Sequence, residues 1–384
     1  ATKTAEPGLL MWGNIEKYLP AESYADDGFK TICTNPCGEI PLSAYDSCRL
    51  ISVNLKNFVK NPFTETAFFD FDHFSQVAGF AMRLSDDLVE LEVEKLDNII
   101  KACDTPDEVE LWENLKAACV NGRRTGLGTH GLADALACLS LAYDSDEAIE
   151  VIDNIYSTFK VAAYTESVNL AQERGAFPVF NWDKEKDNAY IQSLPKNLQE
   201  LIAKFGRRNI SILTNAPTGS VSIMSQTSSG IEPVFRNSYT RRRKLSHNET
   251  DIKADFIDDL GDKWTEYEVF HHNVRAYLEA NNTTEVPDFF TESDAIDWET
   301  RVRIQATIQK HIDHSISSTI NLPKGTDPEV VSRLYQLGWK LGLKGITVYV
   351  DGSRTGVLVT NTEEEQESFP QHQAVKRPAE LSCN

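Results

Sequence analysis

The strongest periodic signal lies between Phe71 and Cys103. Phe74, Val77, Ala81, Leu84, Leu88 and Leu91 recur at three and four residues with charges between them, which predicts one long amphipathic helix. A second helix is predicted over Pro106–Cys119. Ser145 fits an N-cap for another, with Ile149, Ile152, Tyr156, Phe159 and Ala163 on one face and Gly175 and Pro178 as its stop. Ile304, Ile308, Ile312 and Ile316 repeat every four residues and predict a helix over 297–316. Further helices are expected around Leu9–Tyr18 and over Asp327–Leu341. The apolar run Ile51–Leu55 reads as a buried strand or a short helix, and Asn209–Thr214 and Gly345–Val350 read as strands. A turn is expected at 351–354. Gly122, Gly126, Gly128 and Gly131 permit tight backbone approach before another helix begins. Strands alternating with long helices predict an α/β fold with parallel strands. From about Asn361 the chain turns to Glu, Gln, Ser and Pro, the composition of a linker.

The 384 residues suffice for two or more domains or one large α/β barrel. Hydrophobic residues at 41% supply a core, so composition adds no unusual class. A formal charge of −20 argues against nucleic-acid polymers and anionic membranes as partners, and leaves room for a nucleotide in a local pocket. No apolar run approaches the length of a membrane span, and the first residues do not read as a signal peptide. Seven cysteines, odd in number and irregular in spacing, fit reduced thiols and hence a cytoplasmic location. No Cys-x-x-Cys pair occurs, so no metal site is expected.

The candidate chemistry centres on Asn35-Pro36-Cys37-Gly38-Glu39. In an extended segment alternate side chains share a face, so Asn35, Cys37 and Glu39 would converge; Asn-Pro and Cys-Gly are also ordinary turn chemistry. A free cysteine is ordinarily a buried small hydrophobe. The flanking Pro36 and Gly38, with an amide and a carboxylate at alternate positions, favour a reaction site instead. Glu39 could then act as a general base on a hydroxyl. Cys48 alone reads as structural, but paired with Cys37 it becomes a candidate redox thiol. Cys33, Cys103, Cys119 and Cys138 read as structural. At Pro217, Thr218, Gly219, Ser220 and Val221, backbone N–H groups and two hydroxyls could cradle a phosphate, and a plain capped helix start explains the same residues equally well. His311 and His314, three apart on the predicted helix, and His271-His272 read as solvated or core histidines. The basic run 241–244 reads as a solvated face.

Taken together, NPCGE, YDSCRLISVNL, NGRRTGLGTHGLADAL, APTGSVSIMSQTSSGIEPVF, HSISSTINLP and KGITVYVDGSR resemble, in order, the large catalytic chain of ribonucleotide reductases. The likeness is nearest to the adenosylcobalamin-dependent class II and runs from about residue 5 to 360. It implies part of a ten-stranded α/β barrel of the type shared with glycyl-radical enzymes, with a thiyl-bearing finger loop inside. Residues 1–360 would be the C-terminal portion of that barrel and 361–384 a flexible polar tail. No near-terminal glycine-radical motif is evident. By the same resemblance Cys37 becomes a thiyl radical that removes the ribose 3′ hydrogen, Glu39 takes the 3′-hydroxyl proton, and Asn35 orients the substrate. Pro36 and Gly38 belong to the same substrate-binding loop. Cys48 is one of the dithiol pair that reduces the 2′ carbon, Pro217–Val221 hold the diphosphate, and Tyr349 lies near the radical cysteine. The implied activity is reduction of ribonucleoside diphosphates for DNA synthesis, with adenosylcobalamin as cofactor and a thioredoxin-like reductant.

Three departures stand out. In the family, roughly half the barrel precedes the point where this chain starts, and it holds the partner of Cys48. Cys383 has no neighbouring cysteine, whereas the family ends in a cysteine pair. CRLISVNL differs from the commoner CNLGSINL. The chain is therefore expected to be an internal or split portion that needs a second polypeptide carrying the N-terminal half, or a compensating dimer, because open strand edges are aggregation-prone. Two alternatives stay open: a non-catalytic assembly half, and a class I type chain that receives its radical from a second subunit through Tyr349.

Overall fold

The structure, a computed structural model, describes residues 2–3, 7–245, 253–257 and 262–353. The first elements are β1 (Leu9–Leu10), α1 (Trp12–Tyr18), a 3-10 stretch over Pro20–Asp27, β2 (Cys33–Thr34) and β3 (Pro41–Leu42). Next come β4 (Leu50–Asn54), a 3-10 turn at Leu55–Phe58, β5 (Val59–Lys60), β6 (Phe68–Phe69), α2 (Phe71–Ala102) and α3 (Pro106–Gly122). The middle holds β7 (Gly126–His130), α4 (Leu132–Cys138), α5 (Asp146–Arg174), α6 (Trp182–Glu185), α7 (Ala189–Gln192), α8 (Lys196–Phe205) and α9 (Gly219–Ser225). The remainder is β8 (Ser238–Lys244), β9 (Phe256–Ile257), β10 (Lys263–Phe270), α10 (His272–Asn281), α11 (Trp298–Gln309), β11 (Thr319–Leu322), α12 (Pro328–Lys340) and β12 (Gly345–Val350).

Local chemistry sets the long helices. Asp70 caps α2 by accepting from His73 N at 3.1 Å. Thr105 and Glu108 form a capping box on α3, and the Ser145 side chain accepts from Ala148 N at the start of α5. The buried face of α2 is Phe74, Ala78, Met82, Ser85, Asp86 and Val89, whereas Leu84 and Leu91 of the predicted stripe are exposed. The face is rotated because Asp86, fully buried, is the hub for Arg123, Arg174, Arg208 and Asn209. A further expectation fails for a related reason. The helix predicted over 297–316 stops at Gln309. Beyond it the backbone serves other strands: His314 N donates to Leu213 O, Ser315 N to Glu39 O and Ser317 N to Asn215 O. Ile312 and Ile316 are still buried, but in a non-helical run.

The glycine-rich stretch ahead of α4 is not a loop. Residues 126–130 form the wholly buried strand β7, parallel to β4 in the register Leu50↔Gly126 to Asn54↔His130. Its glycines answer to their neighbours: a Cβ on Gly126 would stand 2.5 Å from Cys48 Sγ, and one on Gly128 would collide with Thr214 O.

On the other side of β7 lies the segment 209–215. Leu127 N donates to Ile212 O and Thr214 N to Leu127 O, each at 2.9 Å, with one parallel bridge at Leu127–Leu213. It is less regular than the predicted strand, since the amides of Ile212 and Leu213 turn to the Asp313 carboxylate at 2.7 and 2.6 Å. Asn215 then bridges Ile316 in parallel, β11 runs parallel to β12, and β1 pairs antiparallel with β12. The order is β4, β7, 209–215, 315–322, β12, β1, and among the described residues it does not close on itself. The main core packs α2, α4 and α5 on the β4–β7 side, with Phe74 and Phe159 stacked at 5.7 Å. A second core packs α11 and α12 behind β11 and β12 through Val302, Leu334 and Val348.

The described residues within 240–269 form a small unit of their own, with strand order β8-β10-β9 and the 241–244 basic run on β8. The polar tail at 361–384, Cys383 and the last residue of the 351–354 turn lie outside the described residues. Among the described residues no helix is long and apolar enough to cross a membrane.

Candidate active site

Antiparallel β2 and β3 make a hairpin whose tip is Asn35–Ile40. The tip is a turn, not the extended segment expected. Asn35 N donates to Ile40 O at 3.1 Å, Asn35 Oδ1 accepts from Ile40 N at 3.0 Å, and Gly38 adopts φ +80°. Asn35, Cys37 and Glu39 therefore do not share a face. Cys37 is exposed at the tip with Pro36, Glu39 is 1% exposed at the base, and the Asn35 carbonyl oxygen is spent on the turn. The amide NH2 of Asn35 remains to meet an outside group.

Glu39 is seated by two remote strands. Its carbonyl oxygen accepts from Ser315 N at 2.9 Å and from Thr214 Oγ1 at 3.0 Å. Its carboxylate Oε2 is buried without a hydrogen-bond partner, an arrangement seldom kept without a use for it. A cleft of about 400 Å³ opens between the hairpin tip, β1 and the start of β12, and neither Asn35 nor Glu39 lines it. Leu9, Leu10, Thr34, Gly345 and Thr347 line it, and Cys37 is its one titratable side chain. Although Cys37 is exposed, partial desolvation and then the nearby Glu39 carboxylate push its thiol up.

Cys48 sits just before β4, against Gly126. Burial pushes its thiol up to about 12, with Arg124 and Arg49 opposing and Asp46 and Glu39 adding to the rise. Arg124 and Asp46 form a buried ion pair at 2.7 Å, and both Arg124 Nη atoms are without partners. Arg49 is committed to Glu92, to Arg124 O at 2.9 Å and to Cys119 Sγ at 2.8 Å. Sequence reasoning missed Asp46, Arg124, Thr214 and Ser315. The first two had a signal, each lying two residues before Cys48 or Gly126. The others had none.

The remaining candidates lie further from the cleft. Tyr349 is half-buried on the same face of β12 as Gly345 and Thr347, two residues past Thr347 and about 7 Å from it at strand rise, and it does not itself line the cleft. Residues 217–221 do not line it either. They follow Asn215, whose carbonyl takes Ser317 N, and Ser317 is a cleft residue. The hydroxyl of Thr218 already has partners within its own loop. It accepts from Gly230 N at 2.7 Å and pairs with Ser229 Oγ at 3.3 Å, closing the loop that returns from α9. Gly219, Ser220 and Val221 are exposed at the start of α9, which has no side-chain cap. Cys119 and Cys138 are buried as read, but Cys33 is exposed, because β2 is a short hairpin strand. His314 is a core histidine, lowered to about 4 by burial, with Nε2 against Thr125 O at 3.1 Å.

Residues 1–349 match the family model described as the ribonucleotide reductase barrel domain. The chain is 31% identical over 369 residues to a vitamin B12-dependent ribonucleoside-diphosphate reductase of Mycobacterium tuberculosis, covering 93% of this chain and 46% of the relative. Its counterpart of that name in Thermoplasma acidophilum is also 31% identical, over 94% of this chain and 42% of the relative. The chain thus spans under half the length of these relatives. Among solved structures, the Actinobacillus ureae class Id ribonucleotide reductase alpha subunit superposes with a TM-score of 0.61 at 22% identity, over 91% of this chain and 59% of that one, a likeness of fold.

Proposed function

The chain belongs to the ribonucleotide reductase barrel-domain family, and on that premise we propose that residues 1–360 are the catalytic portion of a ribonucleoside-diphosphate reductase. The reaction replaces the ribose 2′-hydroxyl with hydrogen by thiyl-radical chemistry. The observation that carries the reading is the hairpin at 33–42, which presents Cys37 to an open cleft and keeps an unpaired, buried carboxylate two residues behind it.

The roles follow from that placement. Hydrogen-atom transfer from sulfur needs an S–H bond, and the Cys37 thiol, raised by partial desolvation and by the Glu39 carboxylate, keeps its hydrogen at neutral pH. Glu39 Oε2 has lone pairs free to accept the 3′-hydroxyl proton. Cys48, pushed up to about 12, holds the hydrogen it would deliver as water leaves the 2′ carbon. The Asn35 amide would orient the ribose. The N–H groups of Gly219, Ser220 and Val221, with Pro217 and Thr218 shaping the turn, would hold the diphosphate. Thr218 Oγ1 also accepts from Gly230 N, which holds the turn closed.

The two relatives are named as B12-dependent, and the residues here fit adenosylcobalamin in two respects. Cys37 is exposed on a cleft wall with no competing titratable side chain, and Leu9, Leu10, Thr34 and Thr347 offer an apolar and hydroxyl lining. When bound, the cofactor supplies the one-electron hydrogen abstraction that Cys37 cannot perform by itself. Tyr349 stands further along the same strand face. The remaining length of the relatives would come from a second polypeptide carrying the N-terminal half of the barrel, and electrons from a thioredoxin-like dithiol protein in the cytoplasm.

The test is CDP reduction with adenosylcobalamin and dithiothreitol, using the chain alone and then mixed with a polypeptide that carries the first half of the barrel. Deoxycytidine diphosphate formed in either arm and abolished by Cys37→Ser supports the proposal. No product in both arms, with the two chains shown to associate, replaces it with a non-catalytic assembly role.

A further inference from the structure

Cys48 has a neighbour whose chemistry is unspent. Arg124 is fully buried, its Nε on Asp46 Oδ2 at 2.7 Å, and its two Nη groups have no hydrogen-bond partner. Buried donors are nearly always paired, so two idle ones on a single guanidinium call for a use. Segments 46–48 and 124–126 lie side by side, since a Cβ on Gly126 would reach within 2.5 Å of Cys48 Sγ. The charged groups facing that sulfur are Arg124, Arg49 and Asp46 from these two segments and Glu39 from the hairpin. Arg49 has committed its donors to Glu92, Arg124 O, Ser47 and Cys119, which leaves Arg124 as the cation with donors to spare.

We propose that Arg124 is a positioning residue for the redox cycle of Cys48: its idle Nη groups receive the thiolate that forms on Cys48 whenever a disulfide containing it is opened, and Asp46 holds the guanidinium in place. The inference rests on the reading of Cys48 as a redox thiol. The step balances with an external dithiol. One dithiol sulfur attacks the partner sulfur of the disulfide, and the S–S bond breaks. Its electron pair leaves on Cys48, which then takes a proton from water. The second dithiol sulfur displaces the first from the partner, so the dithiol is oxidised to its own disulfide and two protein thiols are regenerated. A neutral thiol sulfur is a weak acceptor and a thiolate a strong one, so Arg124 is engaged chiefly in the charged state.

The experiment reads the thiolate directly. In a Cys33→Ser/Cys37→Ser background Cys48 is the one thiol of tryptic peptide 31–49, and its alkylation by iodoacetamide is followed by mass spectrometry from pH 6 to about 10. Arg124→Met should slow labelling at fixed pH on the order of tenfold and move the profile to higher pH. Arg124→Lys should restore most of the rate, and Asp46→Asn, which leaves the guanidinium unneutralised, should speed it. Circular dichroism checks each fold. If Arg124→Met does not fold, Asp46→Asn decides. Profiles unchanged in Asp46→Asn, or equal in Arg124→Met and Arg124→Lys, overturn the proposal. No turnover enters this readout. Cys48→Ser in the CDP assay tests the redox reading separately.

Discussion

A methyl group placed on β7 should be felt very differently two residues apart. At Gly126 the added Cβ meets Cys48 Sγ at 2.5 Å and Leu50 Cδ2 at 2.7 Å, both side-chain atoms able to turn aside, and the nearest backbone atom, Arg49 O, stands off at 3.3 Å. At Gly128 it meets the carbonyl oxygen of Thr214, a backbone atom in the neighbouring segment. Relief there means moving 209–215 outward, which stretches Leu127 N→Ile212 O and Thr214 N→Leu127 O. Overpacking costs about 1–3 kcal/mol, two weakened ladder bonds about 1 kcal/mol each, and the stiffer unfolded chain returns about 0.4–1 kcal/mol. Gly126→Ala should therefore destabilise by about 1–2 kcal/mol and Gly128→Ala by about 3–4 kcal/mol. Urea unfolding of the two variants at matched m-values gives both numbers. Equal losses, or the larger loss at Gly126, would refute the claim that backbone proximity is what selects glycine on this strand.

Asp86→Ala removes the shared partner of three buried or half-buried guanidiniums, and urea unfolding should show a loss of about 3 kcal/mol, at the low end for a broken buried pair because Glu90 and Asp87 remain within reach. His314 titrates at about 4 in the fold against an ordinary 6.5, so the unfolded chain takes up the proton first. Stability is then full above about pH 6.5 and falls by about 3 kcal/mol as pH drops toward 4. His314→Gln should flatten that part of a pH-dependent unfolding curve, and an unchanged slope would count against burial as the cause. Glu39→Gln keeps shape but cannot accept a proton, so kcat for CDP reduction should fall at least ~100-fold with KM little changed; a loss confined to KM would make Glu39 a binding group.

The helices that the sequence predicted well are those that cap themselves. α2, α3, α5 and α12 carry Asp70, Thr105, Ser145 and Asp327 at their starts, and local chemistry suffices to place them. What failed was decided across the chain. β7 has glycines because Cys48 and Thr214 O press on it, and nothing within 126–130 announces a strand. α11 looked long because four isoleucines are evenly spaced, yet the last two serve a run whose amides belong to Leu213, Glu39 and Asn215. In the candidate site, Cys37 and Glu39 were legible as a pair of reactive groups at close spacing. Their true relation, one exposed and one buried, depends on Gly38 at positive φ and on Asn35 closing the turn. Arg124, Thr214 and Ser315 take their meaning only from residues far along the chain.

The seat of Glu39 also sets when the site comes into being. Thr214, which holds its carbonyl, is 175 residues downstream, and Ser315 is further still. At ribosomal speeds of roughly 5–20 residues per second, the hairpin leaves the tunnel on the order of ten seconds or more before either strand exists to receive it. Throughout that interval Cys37 is a solvent-exposed thiol on an unanchored turn, open to oxidants. Such non-local contacts close late, because loop entropy must be overcome first. The candidate site is thus among the last parts of the chain to be assembled, and a nascent chain stalled between residues 40 and 210 would carry the Cys37 thiol without the socket that seats Glu39.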